Sequence, residues 1–409
     1  LSVKVDELLK YKEESSPSQE ELEAKGKEIE DQFLQHKESL IKENKINYWL
    51  KLGELYSVTK TDKRLAIEPL SKVVKLDPNV KEAWNVLADC YWHGGDYVMA
   101  QKCLETSLEQ ERAKEPLRNL SIIYRKLALT DPERRIENTQ TGVRLAKEAV
   151  NKDLKDSISW GILGNAYLSA YFNLNSDIKS AQLALSAYKQ AVKLNTNRMS
   201  TELFYNQALA SKYCEYYEEA LASLDLAIKQ EKDWDPAAKL KCQLLVFLNN
   251  VQFFHTSKGK LKPKRITKFQ KELLNVQLGS YVQSLNAEAA NVTSLQAGKN
   301  HNALIYGKVI WTLAQQESFP FTCGCMEASG ECFVVSVYNV TPGKGFLIGD
   351  TLFIPEPNYK LLKFEYDGII YDYPSIRVDN PTYLIVNKKR LSSDYFTPYT
   401  LSTSEKEAM

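Results

Sequence analysis

Long apolar runs are missing from this chain: no stretch of its 409 residues approaches the roughly 18 uninterrupted apolar positions that a membrane-crossing helix needs. The start, Leu1 to Glu13, mixes charges every few positions, unlike the apolar core of a secretory leader, so a soluble, intracellular protein is expected. It opens on Leu1 rather than Met, which fits a fragment or a chain with a preceding segment. An excess of either charge is also missing. Lys and Arg number 53 against 52 Asp and Glu, a net +1, so bulk charge argues for no polyanionic partner and local patches must carry any such case. The seven cysteines, Cys90, Cys103, Cys214, Cys242, Cys323, Cys325 and Cys332, are odd in number and form no framework, as expected of reduced thiols in a cytosolic or nuclear protein.

The materials of catalysis are equally thin. His36, His93, His255 and His301 are isolated, with no partner at metal or triad spacing. Cys323-Gly324-Cys325 with Cys332 lacks the second C-x2-C pair of a zinc site. Gly343-Lys344-Gly345 lacks the spacing of a phosphate loop. A non-enzymatic protein without metal or cofactor is expected.

What is present is a recurring helical stripe. Trp160, Leu163, Gly164 and Tyr167 fall at i, i+3, i+4 and i+7, and are followed by Ala184, Tyr188 and Ala191 on a second helix. The spacing returns at Trp49, Leu52, Gly53, Tyr56 with Ala66, Leu70, Val73. It returns again at Trp84, Leu87, Ala88, Tyr91 with Gly95, Ala100, Leu104, and at Leu117, Leu120, Ser121, Tyr124 with Ala146 and Val150. A last copy runs Phe204, Ala208, then Ala220, Leu224, Ala227. The pattern resembles the tetratricopeptide repeat, whose hairpins stack into an α solenoid with a concave groove.

The expected organisation is an N-terminal helical cap over 1–45, with helices over 1–14 and 19–44, and a solenoid over 46–256. Its insertions at 130–138 and 172–179 should project as loops, and the helix 237–254 should seal the last hairpin through Leu240, Leu244 and Leu248. A basic linker at 257–300 follows, in which 258–271 carries seven cations and no acid. From about Ala303 the period becomes alternating. Runs at 303–312, 319–326, 332–339, 351–354, 361–366 and 382–387, rich in Val, Ile, Tyr and Phe between Gly, Pro, Asn and Asp clusters, predict a small all-β barrel at 301–392, of the oligonucleotide/oligosaccharide-binding (OB) fold, and then a tail at 393–409. The strands at Gly307-Lys308-Val309 and 347–352 would be its first and fourth. Phe319, Phe321, Phe333 and Tyr338 are the aromatics a nucleic acid would stack on, but no Lys or Arg lies between Lys308 and Lys344. Protein docking is therefore the better reading, with DNA binding left open.

The combination resembles the tetratricopeptide repeat protein 5 family, over about residues 45 to 390. The matching stretches are 120–127, 160–169, Ala184-Leu-Ser-Ala-Tyr188, Ser257-Lys-Gly-Lys260 and Leu347-Ile-Gly-Asp350 through Ile354-Pro-Glu-Pro-Asn358. The resemblance implies a protein-binding adaptor, cytoplasmic and nuclear, that reads the amino-terminal Met-Arg-Glu peptide of a nascent tubulin at the ribosome. Such an adaptor recruits an mRNA-decay adaptor, so that tubulin autoregulates its own message. The alternative it implies is a nuclear stress-response transcription cofactor that binds acetyltransferase coactivators.

Helical periodicity places Asn119, Arg125, Asn165, Glu202, Asn206, Lys212 and Tyr213 on the concave face of the repeats. Asparagines there can bond a peptide's main chain, Arg125 a carboxylate, and Glu202 a basic side chain or free amine. The Lys/Asn/Lys/Arg clamp of chaperone-tail binders is absent, since Leu50 and Glu54 occupy two of its positions. The resemblance further implies an acidic residue after the last repeat that holds the peptide's arginine, near Asp235. It also implies a ribosome contact at Lys75, which could equally serve only to favour its helix C-terminus, and recruitment of the decay machinery through Lys262 and Lys264.

Overall fold

The computed structural model describes residues 1–15, 17–194, 200–277, 282–283, 287–313 and 319–397. The tail from residue 398 on, and residues 278–281 and 284–286 of the segment read as a linker, lie outside them. The chain divides into two compact units, Leu1–Ala166 and Tyr167–Met409.

The first unit is all helix: α1 Ser2–Ser15, α2 Gln19–Gln35, α3 Lys37–Thr59, α4 Ile67–Leu76, α5 Lys81–His93, α6 Tyr97–Gln110, α7 Lys114–Thr130, α8 Arg135–Lys152, and α9 Ser157–Ala170, whose last turn enters the second unit. The stripes read from sequence are the core: Leu52, Leu70, Val73, Leu87, Ala88, Ala100, Leu104, Leu117, Leu120 and Ala146 are all buried. The expected 19–44 helix instead breaks at His36, and α3 kinks at Asn44, whose side chain accepts a 2.9 Å hydrogen bond from the Asn47 N–H and so caps the helix beyond. The cap helices bury Leu22, Ile29 and Phe33 against Tyr48, Leu52 and Leu55.

Neither insertion is a projecting loop. At 130–138 the extra residues lengthen α7 and α8, leaving a tight turn in which the Asp131 carboxylate accepts from the Glu133 and Arg134 N–H groups. At 172–179 the chain continues α9 into one turn of π-helix, Tyr171–Asn175, because Tyr171 and Phe172 are drawn into the core beside Tyr213.

The second unit continues with α10 Ile178–Leu194, α11 Thr201–Tyr213, α12 Tyr217–Gln230, α13 Asp235–Thr256 and α14 Pro263–Leu274. Its strands are β1 Glu288–Ala289, β2 Gly298–Lys299, β3 Ala303–Thr312, β4 Phe321–Met326, β5 Cys332–Val337, β6 Thr351–Pro355, β7 Asn358–Tyr366, β8 Ile369–Val378, β9 Ile385–Val386 and β10 Lys389–Arg390. They run in the order β10-β9-β6-β3-β4-β5-β8-β7-β2, with β1 beside β3. The expected first and fourth strands do pair, Gly307 opposite Leu352, although the fourth begins only at Thr351.

β8 is one of the two longest strands, and the alternation did not predict it. Pro374 interrupts its apolar run; the residue is tolerated because β8 pairs with β5 only from Ser375 onward, so no partner on that side loses a donor. β4 and β5 are buried at every position. One face fills the barrel with Cys323, Cys325, Phe333 and Val335, and the other meets the helices, where Phe319, just ahead of β4, stacks on Phe247 at 4.8 Å. Phe319, Phe321, Phe333 and Tyr338 are thus all interior and offer no platform for bases.

The 258–271 stretch is no open linker. Residues Lys258–Lys260 make one 3-10 turn laid directly on β3: a Cβ on Gly259, at φ +65°, would stand 2.6 Å from the Ile310 carbonyl oxygen. α14 then lies on the barrel through Phe269 and Leu273, both buried.

At the end of α13, His255 packs beside Tyr373, with its Nδ1 buried and without a hydrogen-bond partner. Burial pushes the imidazole pKa below its ordinary value, with Asp372, Lys258 and Glu331 as the nearby charges. The unfolded chain therefore takes up the proton first as pH falls through 6.5, and stability is lost on the acid side. Amide hydrogen-exchange protection in α13 and β8 should fall from pH 7.5 to 5.5 by an amount that His255→Gln reduces, the difference in slope staying below about 1.4 kcal/mol per pH unit.

Candidate functional site

In the first unit the expected peptide-binding side chains occupy two kinds of position. Asn119 is exposed on α7 and Asn165 is half-buried on α9. Arg125 is 8% exposed, its aliphatic stem lying over Gly142 of α8, where an added Cβ would stand 3.6 Å from Arg125 Cγ. The same close approach lets the Ser121 hydroxyl donate to the Gly142 carbonyl at 2.8 Å. Lys75 is exposed in the last turn of α4.

In the second unit, Glu202 is exposed in the first turn of α11, and Asp235 is exposed in the first turn of α13, where its charge also suits the helix dipole. Asn206 is buried. Lys212 and Tyr213, expected on an open groove, are not open: they are 3% and 1% exposed. The Tyr213 ring packs between Tyr171 and Phe172, and the Lys212 ammonium lies 4.4 Å from the Tyr213 ring centroid and 5.0 Å from that of Phe319. The barrel has covered the C-terminal half of α11.

That docking rests on a polar network which repeat periodicity alone does not reveal. The turn between α5 and α6 uses Gly95 at φ +80°, closed by Gly95 N–H to the Trp92 carbonyl and Asp96 N–H to the Tyr91 carbonyl. The turn between α11 and α12 is built the same way, Glu215 to Lys212 and Tyr216 to Ser211, but at φ +58° it holds Glu215. A non-glycine residue there costs about 1–2 kcal/mol. The side chain explains the choice: its carboxylate accepts from the Tyr338 hydroxyl at 3.0 Å and lies 3.7 Å from Arg377 Nη1, while Lys360 donates to the Glu215 carbonyl at 2.8 Å.

Arg377 on β8 completes the network. It donates Nη1 to the Tyr213 carbonyl at 2.6 Å and Nε to Asp379 at 2.7 Å, and its guanidinium sits 3.8 Å from the Tyr338 ring centroid. Burial raises the Glu215 pKa and Arg377 opposes that rise. Outside this knot, Tyr366 donates to Asp225 at 2.7 Å and Tyr371 to Asn249 at 2.7 Å, pinning the β7–β8 hairpin to α12 and α13. The sequence signal that could have found the knot is the glutamate in a slot where an earlier repeat carries glycine.

Lys262 and Lys264 are exposed at the start of α14, which has no acid in its first turn. Cations at a helix N-terminus oppose the macrodipole, so their placement costs a few tenths of a kcal/mol and calls for a reason other than helix stability. Lys264, Lys268 and Lys271 continue as one exposed stripe opposite Phe269 and Leu273.

Among the described residues, no cluster of His, Cys, Asp or Glu could hold a metal, and no helix is long and apolar enough to cross a membrane.

Comparison with known proteins agrees with this architecture. A family model described as the tetratricopeptide repeat protein 5 OB fold domain matches residues 286–399, and a tetratricopeptide repeat model matches residues 81–114. A Bos taurus protein named Tetratricopeptide repeat protein 5 is 38% identical over 347 residues, covering 82% of this chain and 79% of its own. The Homo sapiens protein of the same name gives the same identity and coverage. Among solved structures, YrrB, described as a TPR protein with an unusual peptide-binding site, aligns over 50% of this chain and 96% of its own at 20% identity and a TM-score of 0.38. A solenoid of repeats followed by this barrel is a protein-binding adaptor architecture, and neither matched model describes a catalytic domain.

Proposed function

The chain belongs to the tetratricopeptide repeat protein 5 family, and from that premise we propose that it is a non-enzymatic adaptor that binds the amino terminus of nascent tubulin at the ribosome and promotes decay of the tubulin message. The observation that carries the reading is the likeness to the named relatives over four-fifths of the chain, through both the repeats and the barrel. In the first unit, Asn119, Arg125 and Asn165 would serve the peptide's main chain and its glutamate; in the second, Glu202 would serve its arginine, with Asp235 as the other exposed acid. Lys75 would face the ribosome, and Lys262 and Lys264 would recruit the decay machinery, from the cytoplasm, with a nuclear pool beside it.

Co-sedimentation tests this directly. The purified chain should pellet with ribosomes stalled while translating a tubulin start, and much less with ribosomes carrying a start of scrambled order. Lys75→Glu should lower the bound fraction. Equal recovery on both nascent chains removes the reading.

A further inference from the structure

One turn beside α14 shows more apolar surface than its surroundings explain. Leu347 is 76% exposed and Ile348 43% exposed, in the loop that leads into β6. Exposed apolar side chains are common singly, but these two are held in a fixed turn. The Asp350 carboxylate accepts from the Leu347 N–H at 2.8 Å and from the Asn387 amide at 2.7 Å, while the Asp350 N–H donates back to the Leu347 carbonyl at 3.0 Å. The same turn is tied to α14. Lys308 donates to the Gly349 carbonyl at 2.9 Å and pairs with Glu272 at 3.0 Å, and a Cβ added to Gly349 would stand 3.6 Å from the Phe269 ring.

An open cleft runs along the flank of α14, between its exposed lysines and the edge of its buried face. Lys264, Arg265, Lys268, Phe269, Lys271 and Glu272 line one cleft. Glu272 is already engaged by Lys308 and Lys268, so the cleft's cations outnumber the acids available to them.

We infer that the Leu347–Ile348 turn and the basic face of α14 form one docking surface for an acidic polypeptide segment with apolar side chains spaced along it. Carboxylates would meet Lys262, Lys264, Lys268 and Lys271, and an apolar anchor would settle on Leu347 and Ile348. The inference rests on the reading of Lys262 and Lys264 as recruiting residues and adds what their partner must look like. A polypeptide is favoured over a phosphate backbone because a polyanion alone has no use for a fixed pair of aliphatic side chains. It is favoured over a bilayer because the surface is a cleft and the apolar face of α14 is already buried on the barrel.

The test titrates the full chain with three labelled probes: a helical peptide of glutamates with a leucine stripe, a peptide of equal charge with glutamate and serine only, and a short uridine RNA. Phosphatidylserine vesicles form a fourth arm. The Glu/Leu peptide should bind about ten-fold more tightly than the Glu/Ser peptide. Leu347→Ser with Ile348→Ser, both at exposed positions, should abolish that difference and leave Glu/Ser binding unchanged. Lys262→Glu with Lys264→Glu should weaken both peptides.

Equal affinity for the two peptides, or no effect of the serine pair, overturns the apolar anchor while the lysine reading stands. No effect of the lysine pair overturns both. Tighter binding of RNA or vesicles than of the Glu/Leu peptide replaces the proposed partner class with that one.

Discussion

Arg377→Leu should lower the stability of the second unit by about 3–5 kcal/mol, because it strips the buried Glu215 carboxylate of its cation while leaving it in place. The Tyr213 carbonyl at the end of α11 loses its donor in the same step, and Asp379 loses its partner. The chain has two units, so a single two-state transition is not the right readout. Amide hydrogen exchange is, because it reports each element: protection should fall in β8, in α12 and in the C-terminal half of α11, and stay unchanged in α5 and α6. The double variant Arg377→Leu with Glu215→Gln should recover part of the loss, since it removes the stranded charge. Unchanged protection in the single variant, or a loss spread evenly over both units, would show that the network does not hold the barrel to the helices.

The same network marks the limit of what the sequence discloses. The repeats were legible because their apolar stripe is local: Trp160, Leu163, Gly164 and Tyr167 are one helix face. The strands at 303–312 and 332–337 were legible because β-branched and aromatic residues cluster between turn residues. What stayed hidden depends on partners far along the chain. Lys212 and Tyr213 read as groove residues from their repeat positions, yet Phe319 and Arg377, more than a hundred positions on, enclose them. β8 was masked by Pro374, whose acceptability depends on where pairing with β5 begins. The 258–271 stretch read as a linker because its lysines dominate the composition; the helix shows only when Ile266, Phe269 and Leu273 are taken as a stripe with the barrel beneath. Both insertions read as loops because polar residues dominate them, although such residues can also extend a helix whose ends are capped.

The second large effect concerns the peptide. A charge-assisted hydrogen bond contributes about 1.5–3 kcal/mol, so removing the guanidinium in Arg125→Ala should weaken a peptide that carries a glutamate at its third position by roughly 10- to 100-fold. Arg125 is largely buried and its stem lies on Gly142, so the substitution also disturbs the packing of α7 on α8. Glu202→Gln provides the variant free of that complication, because the side chain is exposed in the first turn of α11. It should weaken a peptide with arginine in second place by several-fold and leave one with alanine there unchanged.

The adaptor reading is tested most directly by titrating the intact protein with a labelled Met-Arg-Glu-initiated peptide, against one of the same composition in scrambled order, by fluorescence anisotropy at physiological salt. Saturable binding of the native order, at least ten-fold tighter than the scrambled one, is the predicted result. Equal affinity for the two orders would contradict it.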